Sequence, residues 1–204
     1  MSLLRPLQQW YYAPMSSNQR HNMTINYTYD LPHRAWANPI LKGALDGWQR
    51  SGENAWVSGD WADISLSTTD SFDFTGGSEG ARPVLVADPK LARADRDPLT
   101  HWFNTGAFAR PSGRGDFGNE PRTVIQLPGI NNWNLALFKN FALGKRRVIQ
   151  YRAEAYNVLN KLQFKDIDRT ARFDVAGAQV NANFGKATSA RNPRIMQMSI
   201  RFTF

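Results

Sequence analysis

The feature that most constrains this chain is a two-residue rhythm of oily and polar side chains, held over stretches longer than an ordinary strand. At the end of the chain, Met196, Met198, Ile200, Phe202 and Phe204 alternate with Gln197, Ser199, Arg201 and Thr203. Successive strand side chains point to opposite faces, so the segment has one apolar face and one polar face. Chain ends are usually polar and frayed. One that closes on a bare phenylalanine needs something apolar to lean on.

The rhythm recurs upstream. Met23, Ile25, Tyr27, Tyr29 and Leu31 alternate with Asn22, Thr24, Asn26, Thr28 and Asp30 until Pro32 stops the strand. In "NNWNLALFKNFAL", Trp133, Leu135, Leu137, Phe141 and Leu143 share a face that Lys139 interrupts. In "RRVIQYRAEAYNVLN", Ile149, Tyr151, Ala153 and Ala155 oppose Gln150, Arg152 and Glu154. The pattern of "GWQRSGENAWVSG" is weaker, because Arg50 and Asn54 fall on the face of Trp48, Gly52 and Trp56; it is read as a strand that continues through "WADISLS". Soluble strands have a mode near 5–6 residues. Tilted membrane-crossing strands need about 9–11, the length these segments supply.

The connections alternate between short and long. Only "GKRR" separates Leu143 from Val148, and a moderate link joins Leu31 to about Leu45, whereas about 69–130 and 161–192 are long and polar. Short periplasmic turns and long outer loops are the asymmetry of outer-membrane barrels. The fold class read from the sequence is therefore all-β: an antiparallel transmembrane β-barrel segment of about five long strands, forming a partial barrel. Lipid-facing candidates are Ile25, Tyr27, Tyr29, Trp133, Leu135, Leu137, Ile149, Tyr151, Met196 and Met198. Lumen-facing candidates are Gln150, Arg152, Glu154, Gln197 and Arg201. A cation at mid-bilayer costs on the order of 2–4 kcal/mol on a lipid face, which fixes the register. Cross-strand charge pairing among Arg152, Glu154 and Arg201 is expected on the lumen side.

Bulk properties are consistent with this. The mean hydropathy of −0.50 does not exclude a barrel, whose strands spend half their residues on a wet interior. No run is long enough for a transmembrane helix, and residues 1–20 contain no signal-peptide core. No cysteine is present, so disulfide and thiolate chemistry are excluded. The formal charge is +8; residues 1–138 carry 12 basic and 13 acidic groups, residues 139–204 carry 13 and 4. Lys161 to Arg194 holds seven basic and three acidic residues, and those cations could meet lipopolysaccharide phosphates or simply be solvated.

No constellation carries catalytic chemistry. Gly76-Gly77-Ser78-Glu79-Gly80 has the letters of a nucleophile elbow, with His101 downstream, but Pro83 and β-branched residues follow where a helix is required; it reads as a flexible loop. His21, His33 and His101 lack metal-site spacing, and Asp95/Asp97 and Asp166/Asp168 do not repeat an EF-hand loop. Arg114-Gly115-Asp116 spells an adhesion tripeptide that turn chemistry explains as well. No catalytic, cofactor or metal residues are assigned, and the chain is read as not an enzyme.

"DLPHRAWANPILKGALDGWQRSG", "HWFNTGAFARPSGRGDFGN", "PGINNWNLALFKNF", "IQYRAEAYNVLNKLQF" and "NFGKATSARNPRIMQMSIRF" resemble the C-terminal barrel of TonB-dependent receptors, most closely the Oar-like group with a carboxypeptidase-regulatory-like domain at its N-terminus. The resemblance runs from about residue 20 to the end. It implies uptake of an external substrate past a plug, driven by the inner-membrane energy-coupling complex, and location in the outer membrane. It implies a barrel-assembly signal at Ile200, Phe202 and Phe204. Expected partners are outer-membrane lipid and lipopolysaccharide, the barrel-assembly machinery, and the plug and remaining strands of a full-length receptor; no cofactor and no nucleic acid are expected. Residues 1–20 are then a truncated loop remnant and 21–204 the C-terminal portion of the barrel, which alone should not form a working pore because open strand edges are not tolerated in hydrocarbon. The family's plug and coupling motif have no counterpart here. Two other readings compete. A soluble, basic nucleic-acid-binding β-protein would stack bases on the 25 aromatic residues; a carbohydrate-binding sandwich would use Trp102 and Phe103.

Overall fold

The computed structural model describes residues 10–32, 38–77, 80–144 and 146–204. In chain order the strands are β1 Asn22–Asp30, β2 Trp48–Val57, β3 Trp61–Ala62, β4 Ser65–Thr68, β5 Val84–Leu85, β6 Phe108–Ala109, β7 Ile125–Gln126, β8 Ile130–Ala142, β9 Val148–Tyr156, β10 Phe164–Ile167, β11 Thr170–Phe173, β12 Ala187–Ala190 and β13 Ile195–Thr203. A short helix, α1, spans Pro39–Leu45 between β1 and β2. No helix among the described residues is long and apolar enough to cross a membrane, which says nothing of crossing by strands.

The chain divides into two compact units. One holds His21–Val57, Ile130–Gln163 and Asn192–Phe204. Here the five long strands form one antiparallel sheet in the order β1-β2-β8-β9-β13. Each long alternating segment of the sequence is one of these strands. β1, β2, β8 and β9 pair in continuous register, and β13 pairs with β9 from Ile195↔Tyr156 to Thr203↔Val148. Among the described strands, β1 and β13 each have a neighbour on one side only, so the barrel is partial. The β8–β9 turn, the β1–β2 link and the end of β13 lie at one end of the sheet. Both long connections, 58–129 and 157–194, leave from the other.

Asparagines fix the chain where it leaves β9. Asn157 and Asn160 take positive φ of 51° and 49°, a conformation that asparagine tolerates better than most residues. The Asn157 side chain donates to Lys161 O and Asn192 O and accepts from Lys161 N; Asn160 Oδ1 accepts from Arg194 N at 3.1 Å. These bonds bring the exit of β9 and the start of β13 together.

The second unit comprises the described residues up to Arg20 with Ser58–Gly129 and Phe164–Arg191. Residues 69–130 and 161–192 read as loops in the sequence; most of them are packed here instead. β3 pairs with β7, β5 with β6, β10 with β12, and β11 runs parallel to β4. Ile64, Phe103, Phe108, Val124, Ile125, Ile167, Ala171, Phe173 and Phe184 belong to its buried core. The rings of Phe103, Phe108 and Phe184 meet edge-to-face with centroids 5.2–5.9 Å apart, a favoured aromatic geometry. Long loops are stable here because they bury apolar side chains together rather than presenting bare backbone to water. The expected continuation of β2 through "WADISLS" is corrected: the strand ends at Val57, and β3 and β4 pair in this second unit.

Gly118 shows how tightly the unit is assembled. Its φ is +74°, and a Cβ there would stand 1.9 Å from Arg82 O. Only glycine fits.

Candidate membrane wall

The register sorts the side chains of the five-stranded sheet into two faces, because residues paired across strands share a face. Ile25, Tyr27 and Tyr29 align with Asn54, Gly52 and Arg50, which align in turn with Trp133, Leu135 and Leu137. From there the row continues through Ala155, Ala153, Tyr151 and Ile149 to Met196, Met198, Ile200 and Phe202. All ten lipid-facing candidates therefore occupy one face. Gln150, Arg152, Glu154, Gln197 and Arg201 occupy the other. Met23, Ile25, Tyr29, Leu137, Phe141, Met196, Met198, Ile200 and Phe202 are exposed large apolar residues, and such a contiguous patch is rare on a soluble monomer.

Aromatic side chains gather at both ends of the oily face. At one end Trp56 and Trp133 meet edge-to-face, centroids 5.3 Å apart; at the other Trp48 and Tyr151 meet at 6.4 Å. Trp48 and Trp56 are eight residues apart on β2. At about 3.3 Å per residue and a tilt near 40°, that places the two rows roughly 20 Å apart in height, close to the ~25 Å apolar band of membrane barrels.

Four polar residues stand on the oily face, each in a distinct setting; one, Asn131, accepts from Trp133 Nε1 at 2.9 Å. Arg50 lies under Tyr27: the ring crosses Gly52, where a Cβ would stand 2.4 Å from it, and its hydroxyl accepts from Arg50 Nη2 at 3.4 Å. Lys139, only 2% exposed, donates from Nζ to Ala44 O at 2.9 Å and to Asp46 O, with the Trp48 and Phe141 rings each 5.2 Å away. It thereby satisfies carbonyls that the end of α1 leaves open. Asn54 is buried between Ile25 and Trp133 in register, and its Oδ1 has no hydrogen-bond partner among the described residues.

The polar face is concave. A cleft of about 470 Å³ draws nine of its twelve lining residues from it: Asn26, Thr28, Ser51, Glu53, Asn134, Ala136, Arg152, Glu154 and Tyr156. Arg152 pairs with Glu154 along the same strand and stacks 5.0 Å over Phe138, while across the register Arg201 faces Gln150 and Glu154 faces Gln197. The expected cross-strand charge pairing is thus replaced by an ion pair two residues apart on β9. Of the assembly-signal residues, Ile200 and Phe202 stand on the oily face, and Phe204, beyond the end of β13, stacks on Phe202 at 5.7 Å.

In the other unit, the sequence constellations become turns and core. Asp97 accepts from Leu99 N and the Thr100 hydroxyl, which hold its carboxyl below the usual range, and His101 N closes the same turn on Asp97 O. Asp116 of the Arg-Gly-Asp triplet accepts from Ser112 and Gly118, so its carboxylate is engaged within the turn. Trp102 donates to Gln126 O at 2.7 Å and Phe103 is buried, so neither is the open sugar-stacking platform a carbohydrate-binding reading requires. Ser78, Glu79 and His33 lie outside the described residues. No cluster of three or more His, Asp or Glu suited to a metal occurs among the described residues.

Sequence reasoning passed over Glu120. It is fully buried; Ile64 N donates to its Oε1 at 2.8 Å, while Oε2 has no partner among the described residues. Burial pushes its pKa up to about 8. Nothing in the local string "GNEPR" signals this, because the walls around it come from distant segments.

An antiparallel sheet of nine- to thirteen-residue strands, with one oily face and one polar face, is the build of a transmembrane β-barrel wall. The family model "outer membrane beta barrel domain" matches residues 5–197, and the chain belongs to that family, which places it in the outer membrane. Comparison with curated proteins and with solved structures finds no match.

Proposed function

We propose that this chain supplies wall, outer lobe and assembly signal to a TonB-dependent receptor of the Oar-like group, which takes up an external substrate. The oily face meets lipid and the polar face lines the lumen. The end bearing the β8–β9 turn is periplasmic, and the lobe built from 58–129 and 164–191 is extracellular. The chain contributes no catalysis. A plug and further strands complete the barrel, the inner-membrane energy-coupling complex drives transport, and the barrel-assembly machinery reads Ile200, Phe202 and Phe204. Basic residues between Lys161 and Arg194 meet lipopolysaccharide phosphates.

The observation that carries this reading is the oily face that runs across all five strands, with aromatic rows at both heights and its few polar residues individually accommodated, joined to the sequence motifs that resemble the receptor group. Nucleic-acid binding is less well supported, because most of the sheet's aromatic rings stand on the face of Met, Ile and Leu, whose cations among the described residues are Arg50, beneath Tyr27, and Lys139, which is buried.

The test is an epitope tag at Gly77 in the chromosomal gene, followed by outer-membrane isolation, mass determination and crosslinking. A tagged polypeptide that contains a plug and crosslinks to the energy-coupling complex supports transport. A tagged outer-membrane protein with no plug and no crosslink refutes it while leaving the barrel intact.

A further inference from the structure

α1 is unusual for a seven-residue helix in a turn: its large apolar side chains are out in the open. Ile40, Leu41 and Leu45 are 79%, 46% and 48% exposed. At about 100° per residue, Ile40, Ala44, Leu41 and Leu45 span one arc of roughly 140°, with Lys42 and Gly43 opposite. The helix is amphipathic, and on its oily side Ile40 is open while Leu41 and Leu45 are each about half exposed.

A helix this short does not persist in water by itself. Asn38 caps it by accepting from Ile40 N at 2.9 Å, and Pro39 sits in its first turn. Its other end is tied by two donors to Ala44 O: Lys139 Nζ and Trp48 Nε1, both at 2.9 Å. Both donors belong to the oily face, in the cross-strand row Trp48–Lys139–Tyr151. α1 is therefore held at the rim of the sheet on its oily side, beside an aromatic row, and not over the polar concavity.

We infer that α1 is an interfacial anchor. Its Ile40–Leu41–Leu45 edge inserts among the acyl chains of periplasmic-leaflet phospholipid at the barrel rim, and Lys42 turns to the headgroup phosphates. Two arguments name phospholipid as the occupant. The exposed edge continues the apolar surface of a membrane barrel, and the single cation on the opposite arc suits an anionic headgroup layer. The inference rests on the reading that the oily face meets lipid.

These 204 residues contain no cysteine, and any cysteine elsewhere in the receptor is first replaced by serine so that each label is single. Spin labels at Ile40→Cys, Leu41→Cys and Leu45→Cys are compared with Arg146→Cys in the β8–β9 turn and Met198→Cys on β13. The full chain, within the receptor that contains it, is reconstituted in phosphatidylethanolamine–phosphatidylglycerol vesicles. Collisions with oxygen, which partitions into lipid, are measured against collisions with a water-soluble nickel chelate. The expected result is an oxygen-to-nickel ratio at the three helix positions several-fold above that at Arg146 and approaching that at Met198. Ratios equal to Arg146 overturn the anchor. Low collision with both reagents also overturns it, by showing protein and not lipid over the helix. Met198 separates the two levels of failure: a lipid-like Met198 with a watery helix removes the anchor alone, whereas a watery Met198 removes the lipid-facing reading as well.

Discussion

Replacing Glu120 by glutamine isolates the cost of burying an ionisable acid in the lobe. The amide side chain of the Glu120→Gln variant keeps an oxygen for the Ile64 N–H and cannot ionise. The native carboxyl has a pKa near 8 when folded, against an ordinary value of 4.5, because burial disfavours its charged form and the neighbouring Asp63 adds to the effect. Its folded pKa is the higher one, so the folded state binds the extra proton between pH 4.5 and 8. Stability is at its fullest below 4.5 and falls as pH rises toward 8. The 3.5-unit difference corresponds to about 4–5 kcal/mol at 1.36 kcal/mol per unit, as an upper bound. The assay is hydrogen exchange of the Ile64 and Val124 amides in the reconstituted full chain, the latter bonded to Ala62 O at 2.9 Å. After correction for intrinsic exchange, the parent should lose protection from pH 5 to pH 8.5 while Glu120→Gln stays nearly flat. Parallel curves for the two proteins would refute the reasoning.

Three further perturbations follow from the packing. Phe173→Ala removes a nearly fully buried ring from the lobe core and should cost about 3–5 kcal/mol, read by the same exchange measurement. Gly118→Ala forces a Cβ against Arg82 O at positive φ; it should destabilise the lobe by at least about 2 kcal/mol and expose it to protease while the barrel strands stay protected. Lys139→Met leaves Asp46 O without that donor and frees one of the two ties on Ala44 O, an expected loss of about 1–3 kcal/mol in the urea midpoint of the membrane-inserted protein, with exchange protection falling first at Asp46 N.

The long strands were legible because lipid and lumen act on single residues in strict alternation. β1, β8, β9 and β13 show this plainly. β2 nearly escaped, since the side chain that accommodates Arg50 is Tyr27 on the adjacent strand, and a cross-strand compensation leaves no mark in the string "WQRSGENAWV". Lys139 reads as an interruption of an oily face for the same reason; its partners are carbonyls about 95 residues earlier. The lobe was illegible on other grounds. Its strands are two to four residues long, too short to show a period, and β4 pairs with β11 from more than a hundred positions away. Gly- and Pro-rich composition identified turns correctly but hid the core that Phe103, Phe108 and Phe184 build between them. Arg152 and Glu154 share the polar face that the alternation gives them, but they pair along β9 and not across strands, with the Arg152 guanidinium over the Phe138 ring, and neither contact is marked in the local sequence.

The most direct test of the wall is a cysteine scan of β13, each position from Ile195 to Thr203 labelled with a fluorophore and quenched in outer-membrane vesicles. Brominated lipid should quench Met196, Met198, Ile200 and Phe202, and a water-soluble quencher should reach Gln197, Ser199 and Arg201, alternating position by position. Uniform response to either quencher along the strand, or alternation of the opposite phase, would contradict a sheet whose oily side chains face the bilayer.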